Sequence, residues 1–268
     1  MEILTFSDDL LHRKRPRCID VETTLAHFAI VTYVVNPDVA RKHIHPRFQL
    51  DLIKSNGQES ALLSVVPFVD QDFRFSKAPW PKWRFGQTNY RIYVTDSETG
   101  DHVAWFLGTS LDSLAVSVPR HLWKLPWHKA NIHFDCDFDV SAQRYTRYHM
   151  KTINSWANAH LELADAGTPP TELTGFDNLE TGMVVLTHPR VGYYYRRDGQ
   201  LGSYSIWHDR LRPTVGNVVA ARFELLDRLG FVESTNLQNV HSVLIQNRTE
   251  FTIYLPPRKV ESHAVQSV

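Results

Sequence analysis

The sequence predicts a mainly β fold, a curved antiparallel sheet with a few short helices. Three observations predict it. Aromatic residues make up 12% of the chain, with seven Trp and ten Tyr, and large aromatics suit sheets and pocket walls better than helical bundles. Three turn signals, Asn56-Gly57, Ser97-Glu98-Thr99-Gly100 and Asp198-Gly199, each have strand-like sequence on both sides, the mark of hairpins. The stretch from Leu25 to Val35 is almost continuously apolar and rich in β-branched residues, as in a strand covered on both faces.

The elements follow in order. After Val35, Asn36-Pro37-Asp38 places an N-cap, a proline at the first helical position and an early acid. A short helix should run from there to about His43 and stop before Pro46. Phe48 to Ile53 and Ala61 to Phe68 read as the strands of the first hairpin. Phe73 to Trp83 is crowded with aromatics and prolines and reads as a loop or flap. Asn89 to Val94 and Val103 to Leu107 form the second hairpin, and a helix is expected over Ser110 to Val118, broken at Pro119. Ala130, Ile132, Phe134 and Cys136 alternate onto one strand face, and Arg144 to Lys151 alternates too. Gly167 to Pro170 is a loop. Val191 to Arg197 and Ser203 to His208 form the third hairpin. Arg222 to Leu229 has helical spacing with a C-cap signal at Gly230, and Val240 to Ile245 and Phe251 to Leu255 close the chain as strands. Residues 1–22 are expected to be a flexible arm, 23–258 a single β-rich domain and 259–268 a tail.

Bulk properties remove several classes of function. The chain has 29 basic and 29 acidic side chains, so no global field draws it to nucleic acid or an acidic membrane. The basic stretch His12 to Arg17 reads as a solvated arm. No apolar run approaches the roughly 18 residues that span a bilayer. Two cysteines do not make a disulfide framework, and with no visible signal peptide the expected location is the cytoplasm. Cys136 sits between Asp135 and Asp137, which should raise its thiol pKa and leave it structural.

No P-loop, dinucleotide turn or Gly-x-Ser-x-Gly elbow is present, so no cofactor is predicted. The chain has fourteen His, but no metal-binding spacing. His43 and His45 point apart in a strand and lie about 200° apart on a helix, so no metal is expected. The most informative stretch runs from Arg120 to Phe134, where Lys124 and Lys129 lie among Trp123, Trp127 and several His. Apolar surroundings depress a lysine pKa for Schiff-base chemistry; the alternative is lysines that snorkel beside Trp.

Several segments resemble the domain-of-unknown-function 2071 family, a branch of the acetoacetate decarboxylase-like superfamily. They include Tyr33 to Asp38, Phe85 to Val94, Leu125 to Ala130, His208, and the ending from His241 through Pro256. The resemblance implies a cone-like antiparallel β-barrel with an internal pocket. It also exposes departures. The decarboxylases carry a lysine pair directly after a proline, whereas Pro126 is followed by Trp127 and His128. The decarboxylase glutamate falls near Gln87 and the arginine of the first strand near Val34. Imine chemistry at the usual position is therefore not expected. A register slip of two residues would bring Lys129 there, and Lys129 shares a strand face with Trp127.

Three readings follow. The first is a pocket that binds a small organic carboxylate or carbonyl compound. Gln87, Asn89, Arg91, His128 and Lys129 would supply its polarity, and Tyr90, Trp105 and Trp127 its walls. The second is a lyase or hydrolase without a Schiff base, with His128 or His208 as acid and base; apart from it, Lys129 could supply an amine for imine chemistry from a displaced position. The third is an interaction module whose pocket is filled by its own side chains. The oligomeric state is not legible.

Overall fold

The computed structural model describes residues 3–55, 57–78, 80–113, 117–154, 156–232, 236 and 239–260. Seven strands close a ring: β1 (Val21–Val35), β4 (Gln58–Phe75), β5 (Trp83–Asp96), β6 (His102–Leu111), β11 (Val191–Tyr195), β12 (Leu201–His208) and β14 (Val240–Lys259), which returns to β1. Short strands β2 (Phe48–Leu50), β3 (Leu52–Ser55) and β7 (Trp127–Lys129) attach to β5, β4 and β6. A second sheet, β8 (Asn131–Asp139), β9 (Arg144–Ile153), β10 (Ala159–Asp165) and β13 (Thr214–Phe223), joins the ring where β13 pairs with β14. Short helices are α1 (Asp8–Leu11), α2 (Pro37–Arg41), α3 (Ser117–Leu122), α4 (Leu179–Thr187) and α5 (Glu224–Arg228).

All three predicted hairpins are present and antiparallel: β3 with β4, β5 with β6, and β11 with β12. Of the first turn, Asn56 lies outside the described residues. Gly100 and Gly199 hold φ of +76° and +78°, the left-handed geometry these turns require. Asn36 caps α2 as expected, its side chain accepting from the Asp38 amide at 2.8 Å.

Other expectations are corrected. Ser110 and Leu111 end β6, where they pair with β5 on one side and β7 on the other. Sheet pairing overrides their helical spacing. The helix comes later, and Pro119 falls in its first turn, where a missing N–H costs nothing; residues 114–116 lie outside the described residues. Phe73 and Phe75 belong to β4 and Trp83 to β5, so the predicted loop shrinks to the connection between them. The two closing strands are one, β14, which pairs with β1, β12 and β13 in turn. The ring is not wholly antiparallel, since β11 runs parallel to β6. The chain between these strands builds β7 to β10 and α4, so no tight turn dictates their relative direction. At this seam a Cβ on Gly192 would lie 2.3 Å from the Phe106 ring, so only glycine fits.

In the basic N-terminal stretch His12, Lys14, Arg15 and Arg17 are exposed, but the stretch also makes contacts with the ring. Arg13 pairs with Glu22 and lies 4.7 Å over the Trp207 ring, and Arg17 pairs with Asp20 at 3.2 Å. Ahead of it, Phe6 packs against a buried cluster.

The outer face of β1, β4 and β5 packs on the second sheet, where Val31, Tyr33, Tyr90 and Ile92 meet Tyr148, Leu161 and Phe223. This explains why β1 is apolar on both faces. Inside the ring, α4 fills one end. Met183, Val185 and Leu186 pack with Leu25, Phe28, Val66 and Phe68. An Asn178 cap that accepts from the Thr181 amide at 2.8 Å starts this helix. Its Thr, Gly and Val content gives it poor intrinsic propensity, and burial rather than propensity holds it.

Candidate functional site

The rest of the ring interior is a cavity of about 330 Å³. Alternation along β5 turns Gln87, Asn89 and Arg91 inward, in line with Phe85 and Trp83. On β4 the inward set is Val66, Phe68 and Asp70, and on β6 it is Ala104 and Phe106. On β1, His27 adopts φ of +51° and the register with β4 shifts between Ala26 and Val31. That irregularity lets Leu25 and Phe28 both reach the cavity. Exposed Phe75 and Trp83 sit at its rim.

The polar lining forms one stripe. Asn89 Oδ1 accepts from Gln87 Nε2 and from the Thr109 hydroxyl, both at 2.9 Å. Arg91, only 8% exposed, donates through Nη2 to the Leu186 carbonyl at 2.7 Å, and Nε and Nη2 each lie 3.3 Å from the Tyr93 hydroxyl. Nη1 has no hydrogen bond, and no carboxylate pairs with Arg91, among the described residues.

The end of α4 explains part of this arrangement. The last carbonyls of a helix lack intrahelical partners and carry partial negative charge. Here His102 Nε2 lies 3.0 Å from the Val185 carbonyl, Arg91 serves Leu186, and His208 Nε2 lies 2.9 Å from Thr187 O. The other nitrogen of His208 lies 2.8 Å from Asp209 O. Both ring nitrogens thus face backbone oxygens and neither is turned to the cavity. Burial lowers His208 to about 4 against the upward pull of those carbonyls. Its neighbour His188 is pushed down to about 2 by burial, with His208 adding to the effect.

Asp70 is the residue that sequence reasoning missed. It is 2% exposed, lines the cavity and accepts one hydrogen bond, from the Thr23 hydroxyl at 3.1 Å. Burial pushes its carboxyl up to about 7. Its signal was parity: an acid in step with Val66 and Phe68 on a strand that runs on to Phe75.

The residues expected at the site divide. Gln87, Asn89, Arg91, Trp127 and His208 line the cavity. Trp105 and Tyr90 point outward into the packed core, Trp105 against Phe48 and Tyr90 against Phe223. Each is adjacent in its strand to an inward residue, so alternation excludes it. His128 stacks on Trp156 at 3.9 Å, outside the cavity lining, and burial lowers it to about 4. Lys129 is exposed and absent from the lining. No lysine is among the described residues that line the cavity. The thiol of Cys136 is half-buried and pushed up to about 12, mainly by burial, with Asp135 and Asp137 adding to it. Among the described residues no three metal-ligating side chains converge, and no helix is long and apolar enough to cross a membrane.

Comparison with known proteins agrees with the architecture. Acetoacetate decarboxylase from Legionella pneumophila superposes with a TM-score of 0.58 at 12% identity, over 96% of this chain and 95% of that one. The enduracididine biosynthesis enzyme MppR, in complex with pyruvate, gives 0.58 at 12% identity, over 94% and 93%. An acetoacetate decarboxylase-like enzyme from Sphingomonas wittichii gives 0.57 at 9% identity, over 91% and 94%. At such identities the likeness is one of fold. Among curated proteins none matches the sequence. A sequence family described as an uncharacterized conserved protein matches residues 22–247.

Proposed function

This chain belongs to the domain-of-unknown-function 2071 family, and from that premise we propose that it binds a small, largely apolar organic carboxylate inside its ring. The observation that carries this reading is Arg91. A buried guanidinium lines a mostly apolar cavity, has one nitrogen without a hydrogen bond and no carboxylate partner among the described residues. Arginine offers a fork of donors suited to a carboxylate, and burial strengthens such a contact while excluding water. Phe68, Phe106 and Phe251 supply apolar wall. A fold neighbour holds pyruvate, which is in keeping with a carboxylate here.

The reading does not use an imine. Trp127 lines the cavity whereas Lys129 lies outside the lining, and an indole nitrogen cannot attack a carbonyl. Nor does it use a histidine base, because both nitrogens of His208 face backbone carbonyls.

Titration calorimetry of aryl and alkyl carboxylates beside their matched amides tests the proposal. Carboxylates should bind about tenfold or more tightly than amides, and Arg91→Gln should remove that preference. Arg91 also caps α4, so the variant's melting temperature is measured alongside. Equal binding of acids and amides by the wild type defeats the proposal without reference to the variant.

A further inference from the structure

Two groups of opposite charge type face one cavity, neither with a charged partner among the described residues. Arg91 is one and Asp70 is the other. Asp70 pairs with Phe85 across β4 and β5, and Arg91 stands six residues further along β5. At roughly 3.3 Å per residue their backbones are about 20 Å apart. Between them β5 places Gln87 and Asn89, while the neighbouring strands contribute apolar wall, Val66 and Phe68 on β4 and Phe106 on β6.

The surroundings of Asp70 have a definite chemistry. Its one hydrogen bond comes from Thr23, and no cation pairs with it among the described residues. Next to it stands a group of aromatic rings that also line the cavity. Phe73 lies 5.1 Å from Phe85 and 6.4 Å from Trp83, and Trp127 packs against Phe85 and Leu111. Aromatic faces attract cations, and a carboxylate among them adds a full opposite charge. A buried carboxyl without a partner is costly, and a ligand cation seated beside it would offset that cost. Burial already lifts its pKa to about 7, so a bound ammonium ion would favour the ionised form.

We propose that the Asp70 end of the cavity is an ammonium subsite, so that the ligand is amphoteric, with a carboxylate at Arg91 and an amine at Asp70, joined by an apolar body. This deepens the carboxylate reading and rests on it. The spacing of the two groups asks for an extended molecule rather than an α-amino acid, whose charges are adjacent.

The test is calorimetry on the full chain with three series of increasing chain length: alkanoates, ω-hydroxyalkanoates and ω-aminoalkanoates, with plain alkylamines as a fourth arm. At the matching length the terminal amine should tighten binding about tenfold over the hydroxyl. Asp70→Asn should abolish that gain, so that ω-aminoalkanoates bind no more tightly than ω-hydroxyalkanoates of the same length. Asparagine is nearly isosteric and can keep the Thr23 contact; should the variant not fold, the amine-versus-hydroxyl comparison in the wild type decides. If alkanoates do not bind but alkylamines bind through Asp70, the Arg91 reading fails and the subsite stands. If an amine gives no gain at any length on either scaffold, or the gain survives Asp70→Asn, the subsite is refuted.

Discussion

Burial governs the chemistry of Asp70. Its ordinary value of 3.8 rises to about 7 because water is excluded and only a hydroxyl compensates. The folded chain therefore holds a proton that the unfolded chain releases between about pH 4 and about pH 7. Stability associated with this group is fully present below the unfolded value and is lost as pH rises through the folded one. Three units at about 1.4 kcal/mol each set an upper limit of roughly 4 kcal/mol. Asp70→Asn should thus be more stable than the wild type near pH 8 and converge with it at acid pH. Urea unfolding at the two ends of that range measures the difference, and a gap that does not grow with pH contradicts the account. Lys129 carries the complementary prediction. It is exposed and outside the cavity lining, with no pocket to desolvate its amine. Borohydride reduction in the presence of acetoacetate or pyruvate should leave it no more labelled than other surface lysines. A stoichiometric adduct that Lys129→Met removes would restore lysine chemistry.

Among the elements, α4 is the piece on which the site depends. Its last carbonyls receive Arg91 and His208, so the helix fixes both side chains at the cavity floor. Asn178→Ala removes the cap on the Thr181 amide and should cost about 1 kcal/mol, read as a lower urea midpoint with an unchanged slope. No change in midpoint would mean that packing alone sets this helix. The same helix marks a limit of sequence reading. Leu179 to Thr187 is buried around most of its surface, so it shows no amphipathic period, and its Gly and Val are weak helix formers. The hairpins were legible because their turns need particular residues at particular dihedrals. The end of β6 was not, because Ser110 and Leu111 owe their strand geometry to β5 and β7 rather than to their own preference.

At the scale of the whole molecule, the ring follows from pairings between distant segments. Strand β1 lies between β4 and β14, near opposite ends of the chain, and no local pattern encodes that meeting; the resemblance in short motifs anticipated it. The polar stripe Gln87, Asn89 and Arg91 was legible, since residues two apart share a strand face. Trp105 and Tyr90 were misplaced because a tally of aromatics ignores parity. Asp70 was overlooked because its strand was ended too early. What results is a closed ring with a helix in one end, a mostly apolar chamber in the other and Arg91 directed into it. The most direct measurement is a crystal structure of the protein grown with a saturating aryl or alkyl carboxylate. The account predicts the carboxylate oxygens at Arg91 Nη1 and the apolar body along Phe68, Phe106 and Phe251. A carboxylate seated elsewhere, or a chamber left empty at saturation, would contradict it.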